Sequence, residues 1–353
     1  MASFVTALYV TDEGQSVVTH SMIKSARDCM NMTKYKYAER LKPKSEQGPL
    51  KRGKWIHALL EVHYTGGDWR DEHKKWVKQY KSLFEEEQDK LGPLPEMIEQ
   101  IMRGYFWHYK NDEDWIVHET EFTVEAEFPD GTLYRGRVDN LVETRYGLYL
   151  VDHKSHNYLP GSTHRLLDAQ SVLYIWAARK MRIPVKGFIW NYIRAKPQAK
   201  WRFKQNGELY ANIGETDFPT AVASLKAAGK NYKDPQWRDR LLALQKMRYK
   251  KDAIQMSPFF RRETLEKDND LIREILASAI RTANTLNTYD FDAPGVERNP
   301  GRRCEWGCSY TNLCTTELLG GNADMVRKRE FKIGDPMAYY QDSKDEGGED
   351  RFG

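Results

Sequence analysis

Three short strand-like runs, parted by turn signals and followed by a helix and one more strand, constrain this chain more than any other feature. "VHETEFTVEAEF" (117–128) alternates apolar and polar residues; "PDGT" turns the chain into "LYRGRVDNLVE" (133–143), and "RYG" turns it again into "LYLVDHKSH". Period-two patterning with turns this short predicts an antiparallel meander. "LLDAQSVLYIWAARKM" (166–181) then reads as a helix and "VKGFIWNYIRA" (185–195) as a strand. A meander joined to a crossover makes the middle of the chain an α/β core.

Helical spacing flanks this core. A helix with a basic and aromatic end starts at residue 21. "RGKWIHALLEVHY" (52–64) sets Trp55, Ile56, Leu59, Leu60 and His63 on one broad apolar face, and helices follow around 70–90 and 95–110, with "GPLP" breaking between them. Beyond residue 197 helices are predicted over 217–229, 235–250 and 268–288. The expected organisation is an N-terminal segment (1–50), a core (51–196), a mainly helical region (197–300), a C-terminal cysteine-bearing segment (301–335) and an acidic, Gly-rich flexible tail (336–353).

Composition narrows the classes. In 353 residues, 40% hydrophobic and 12% aromatic content is enough for a real core, and a net charge of +4 permits a polyanionic partner without demanding one. No apolar run is long enough to span a bilayer and no signal segment opens the chain, so the expected location is the cytoplasm, with no membrane partner. The four cysteines are too few for a disulfide framework in a chain this long. Three of them, Cys304, Cys308 and Cys314 in "CEWGCSYTNLC", have ligand-like spacing, while Cys29 lies almost a whole chain away.

Candidate chemistry gathers on the meander. Asp139 lies on the second run, and Asp152 and Lys154 share one face of the third, with His153 pointing the other way. Neighbouring strands lie about 4.8 Å apart, so the two aspartates can meet. Two carboxylates so placed can hold Mg²⁺ or Mn²⁺ through hard oxygen ligands. A lysine beside them can orient or deprotonate water, or stabilise charge on a phosphate. The plainer alternative is a cross-strand salt bridge in an exposed sheet. Glu61, one turn after His57, and Glu121, on the first run, could support such a site from behind these groups, or be solvated charges. "GPLKRGK" (48–54) imitates a phosphate-binding loop, but Trp55 stands where Ser or Thr is needed and no strand precedes it, so no motor is read here. The basic–aromatic stretches "KYKYAERLKPK" and "MRYKK" could track phosphates and stack bases, or simply be solvated helix faces.

"GRVDNL" followed by "LYLVDHKS" resembles the signature of the PD-(D/E)xK nuclease superfamily, in its RecB-like branch. Gly53 and His57 in "RGKWIHALL", and Gln170 and Tyr174 in "DAQSVLYIW", match two further elements of that branch. Val138 stands where the superfamily name has proline. The resemblance implies a restriction-endonuclease-like core of helix, three-strand meander, helix and strand, with added helices. It implies metal binding by His57, Asp139, Asp152 and the carbonyl of His153, assistance to the attacking water by Lys154, and shaping of the site and contact with DNA by Gln170 and Tyr174. Cys29 with Cys304, Cys308 and Cys314 resembles the iron–sulfur nucleases of this branch, the AddB-type subunits and a CRISPR-associated family. Here the spacing is C-x3-C-x5-C, where C-x2-C-x5-C is commoner. The resemblance implies a 4Fe–4S cluster clasping the N- and C-terminal segments, and soft thiolates leave structural zinc as the alternative.

The expected activity is therefore metal-dependent hydrolysis of DNA phosphodiesters by an exonuclease acting on single strands or free ends. Recombination, repair or end processing is the implied setting, in a phage or CRISPR context among others. A structure-selective or nicking endonuclease is the alternative within enzymes, and a non-cleaving DNA-binding module on the same fold is the alternative outside them.

Overall fold

The computed structural model describes residues 7–340 except 46–47, 111–114, 160–164, 166, 211–213 and 250–256. Strand β1 (Val17–Val18) leads into helices α1 (His20–Asp28) and α2 (Met30–Thr33), a π-helical turn (Lys34–Ala38) and strand β2 (Leu41–Pro43). Helices α3 (Gly48–Tyr64), α4 (Trp69–Lys81), α5 (Glu85–Leu91) and α6 (Leu94–His108) come next. The meander is formed by β3 (Ile116–Glu127), β4 (Leu133–Thr144) and β5 (Gly147–His156), and helix α7 (Ala169–Lys180) and strand β6 (Gly187–Arg194) come after it. After α8 (Phe218–Ala227) and α9 (Pro235–Tyr249) come strand β7 (Phe260–Leu265) and helix α10 (Asn269–Thr288). The chain ends its described course with α11 (Arg302–Trp306), α12 (Thr311–Leu318), α13 (Ala323–Glu330), strand β8 (Phe331–Ile333) and a short 3-10 turn (Ala338–Tyr340).

The turn chemistry works as its residues dictate. In "PDGT", Gly131 takes φ +86° and Asp130 accepts the Thr132 N–H at 3.1 Å. Asp168 caps α7 by accepting the Ser171 N–H at 3.1 Å. The six-stranded sheet runs β1-β4-β5-β6-β7, with β3 on the other edge of β4. β3, β4 and β5 are antiparallel, and β6 lies parallel to β5 across the α7 crossover.

One face of the sheet carries Phe122, Val124, Val138, Leu150, Phe188 and Trp190 beneath α7 and α10. Helices α3, α4 and α6 contribute Trp55, Ile56, Leu59, Trp76, Ile98 and Ile101 to a second core, which takes in Ile193 and Phe260 from the opposite face. Two irregularities of β4 shape the middle of the sheet. Its edge is paired by β1 at Leu133 and Tyr134 and by β5 only from Asn140 onward, so the two partners diverge around residues 135–139. In addition Val138 and Leu141, an odd number apart, both join the α7-side core, whereas Val142 packs on the opposite side. The alternation of β4 therefore slips at Asp139–Asn140, and directly across on β3 Glu121 has φ +50°.

Several expectations need correction. The helix around 70–90 is two helices, broken where Ser82 caps α4 and its hydroxyl donates to the Gln79 carbonyl. The stretch after 197 holds strand β7, antiparallel to β6; "FRRETL" is polar on both faces, so it carries no alternation. With β1 and β7, the sheet reaches beyond residues 51–196. β8 pairs with β2 and joins the two ends of the described chain. Met337 is buried beside Val17 and Met22 and so anchors the segment at 336–340, in which Ala338 and Tyr339 stay exposed; the rest of the proposed tail, 341–353, lies outside the described residues. In "KYKYAERLKPK" the rings of Tyr35 and Tyr37 are buried and unavailable to stack on bases, while the side chains of "MRYKK" lie outside the described residues. Trp55 is fully buried and stacked on Trp76 at 5.4 Å, as a helix residue and not a phosphate loop. Among the described residues no helix is long and apolar enough to cross a membrane.

Candidate active site

The opening beside residues 135–139 of β4 gathers His57, Asp139, Asp152, Lys154, Gln170 and Tyr174. His57 comes from the middle of α3, with its Nδ1 3.4 Å from Asp139 Oδ1. The other Asp139 oxygen, Oδ2, accepts the backbone N–H of His153, a donor left over where the β4–β5 ladder stops. Lys154 Nζ lies 2.6 Å from Asp152 Oδ2 and 5.5 Å above the Trp190 ring. Gln170 donates to Asp152 Oδ1 at 2.8 Å and to the Tyr174 hydroxyl at 3.2 Å, and that hydroxyl donates to the Arg137 carbonyl at 2.8 Å. Tyr174 thus satisfies a β4 carbonyl in the gap and, through Gln170, ties it to Asp152. Gly136 makes room for it: a Cβ there would collide with Cε1 of the Tyr174 ring.

The electrostatics derive from burial. Burial disfavours the charged form of both aspartates, and the outcome differs because their partners differ. Asp139 is nonetheless held well below the usual carboxylate range by His57. Asp152 is pushed up to about 6, since Lys154 only partly offsets burial and Asp139 adds repulsion. Burial would lower His57, but the Asp139 carboxylate overrides it and holds the ring up at about 9. Lys154 is likewise raised against burial by Asp152 and Asp139, so it keeps its proton.

His153 turns to the opposite face. Burial pushes its imidazole down to about 3, so the ring is neutral. Asn191 Nδ2 lies 2.7 Å from its Nδ1, and its Nε2 lies 2.7 Å from Asn140 Oδ1. An amide donor at Nδ1 assigns the ring proton to Nε2. Asn191 also donates to Tyr105, whose hydroxyl is 2.7 Å from that of Tyr64, and the Tyr64 ring stacks on His153 at 5.6 Å. Asn140, Asn191, Tyr105 and Tyr64 escape a reading of motifs; the one available signal is a polar Asn inside the apolar run "FIWNYI". Arg137 also escapes it, although its Nε pairs with Glu121 Oε2 at 2.7 Å. Burial, then Asp139, pushes Glu121 up to about 7, and burial also raises Glu61.

Among the described residues no group of three or more His, Cys, Asp or Glu converges closely enough to hold a metal ion as the side chains stand. Cationic side chains neutralise the two aspartates here. Two buried carboxylates with an imidazole nevertheless form a donor set suited to Mg²⁺ or Mn²⁺.

The cysteines also come within one neighbourhood. Cys29 lies between α1 and α2, where the Asn31 N–H donates to the Glu297 carbonyl at 2.9 Å and Asp28 pairs with Arg303. Asn31 Nδ2 reaches Cys314 Sγ at 3.6 Å, and Thr311 donates to the carbonyls of Cys304 (2.7 Å) and Cys308 (3.1 Å). All four thiols are free and half-buried, and they do not form a closed ligand set.

A family model described as the PD-(D/E)XK nuclease superfamily matches residues 17–315. A proposed exonuclease from Eubacterium rectale is among the similar solved structures, 11% identical with a TM-score of 0.33, over 75% of this chain and 93% of that one. That likeness is loose and carries no weight in the functional assignment. Among curated proteins nothing matches.

Proposed function

The chain belongs to the PD-(D/E)XK nuclease superfamily, and from that premise we propose that it is a metal-dependent DNA nuclease acting as an exonuclease. The observation that carries the reading is the pairing of two buried aspartates on adjoining strands with a lysine two residues after the second. His57, Asp139, Asp152 and the carbonyl of His153 would hold a divalent cation of the Mg²⁺ or Mn²⁺ kind. Such a cation, when bound, supplies Lewis acidity at a phosphoryl oxygen and eases the ionisation of water.

The chain's own groups do the rest. Asp139 and Asp152 draw positive charge to the diverging strands. Lys154, kept cationic by Asp152, orients the attacking water and stabilises the charge that builds on the phosphate as the bond to the 3′ oxygen breaks. Gln170 fixes the rotation of Asp152, and Tyr174 anchors Gln170 to β4. The same reading extends to Cys29, Cys304, Cys308 and Cys314, whose thiolates suit a 4Fe–4S cluster, with zinc as the other soft-ligand choice. The contact between Asn31 and Cys314 supports it, since it links the two ends of the clasp.

Protein purified without oxygen, assayed for iron, and mixed with end-labelled linear and circular single-stranded DNA tests these readings together. We expect iron in the protein, loss of linear DNA with Mn²⁺ but not with EDTA, and intact circles. Cut circles would replace the exonuclease with an endonuclease. DNA bound but never cut would leave a non-cleaving module, and zinc in place of iron would reassign the cysteine site.

A further inference from the structure

Glu121 sits where β3 and β4 both depart from regular geometry, a short way along from the register shift between Val117 and Glu119. Thr120 pairs with Asn140 and Phe122 with Val138, which puts Glu121 directly across from Asp139. Its φ of +50° is rare for a residue with a side chain and persists only where the surroundings enforce it. Two partners do so. Arg137 Nε pairs with Glu121 Oε2 at 2.7 Å, and the Tyr339 hydroxyl donates to the same oxygen at 3.2 Å. Arg137 is in turn bound to the C-terminal segment: its Nη1 donates to the Tyr339 carbonyl at 2.6 Å, and its guanidinium lies 5.0 Å over the Tyr339 ring. The segment is anchored by buried Met337 and by the Tyr9 hydroxyl, which donates to Asp335 Oδ1 at 2.8 Å.

We propose that Glu121 is a third carboxylate of the metal site, and that Tyr339 and Arg137 form a latch holding it turned away from Asp139. Release of Tyr339 frees Glu121 to swing toward Asp139, so the C-terminal segment sets how readily the site loads a divalent cation. This rests on the metal-site reading above, and the variants separate the two claims. No covalent step is involved; what changes is which cation Glu121 faces, the Arg137 guanidinium or the metal.

The test is Mn²⁺ binding by titration calorimetry on the full chain without DNA, with thermal melting to confirm folding. Tyr339→Phe removes one hydrogen bond from the latched form, so Mn²⁺ should bind roughly five-fold more tightly. Glu121→Gln should weaken it about ten-fold or more, as loss of a supporting carboxylate does. The double variant should bind like Glu121→Gln alone, because Tyr339 acts only through Glu121. Asp139→Asn serves as the reference. If it loses Mn²⁺ while Tyr339→Phe and Glu121→Gln bind as the wild type does, the latch is wrong and the metal site stands. If Asp139→Asn itself binds Mn²⁺ normally, the metal site lies elsewhere and both fall.

Discussion

His57 and Asp139 show how one pair can be legible in sequence as chemistry and illegible as energetics. Spacing puts a histidine on an apolar helix and an aspartate on a strand, but only the fold brings them to 3.4 Å. The consequence is a pH dependence with a definite sign. A histidine raised to about 9 in the folded chain, from about 6.5 unfolded, contributes stability that is complete below pH 6.5 and is lost as pH rises through 9. Asp139 is shifted the other way, so its share is lost only in acid, below the ordinary carboxylate range. Metal-free protein should therefore lose roughly 1–2 kcal/mol between pH 6.5 and 9, less than the full shift implies because the ring is partly solvated. Urea unfolding across that range checks it, and His57→Gln should flatten the slope. An equal slope in the variant would mean that another group titrates there. Lys154 and Asp152 are readable as neighbours from their spacing alone. The raised Asp152 is not, since burial and the nearness of Asp139 are properties of the fold.

At the scale of elements, strands with one apolar face are legible and strands with two polar faces are not. β3, β4 and β5 start and end within a residue or two of the runs that predict them, whereas β7 hides because Arg261, Arg262 and Glu263 leave neither face apolar. β1, only two residues long, is too short to carry any period. The contact of α7 with β4 is equally hidden, because it depends on a missing side chain. Gly136 lets the Tyr174 ring lie against the strand, and any Cβ would collide with it. Gly136→Ala should therefore cost about 2 kcal/mol by overpacking. It should also displace the Tyr174 hydroxyl from the Arg137 carbonyl and so loosen Gln170 from Asp152. Denaturant titration reads the first effect, and loss of DNA cleavage at a temperature where the variant is folded reads the second. A variant as stable and as active as the wild type would remove Tyr174 from the account.

Across the whole molecule, the two ends of the described chain are joined to each other. β2 pairs with β8, Met337 enters the pocket beside Val17 and Met22, and Cys29 is drawn to the segment leading to Cys304. Such contacts span most of the sequence, and apart from cysteine spacing no local pattern announces them. The nuclease core between them is legible because a meander, a crossover helix and Asp-x-Lys coincide in order. At its centre Lys154 is proposed to work on the phosphodiester, where the plainer reading makes it half of a salt bridge with Asp152. The most direct measurement compares wild type and Lys154→Ala for cleavage of linear DNA with Mn²⁺ and for DNA binding in EDTA. A catalytic role for Lys154 predicts cleavage reduced by about 100-fold or more, with binding unchanged. Lys154→Ala cutting as fast as the wild type would contradict it.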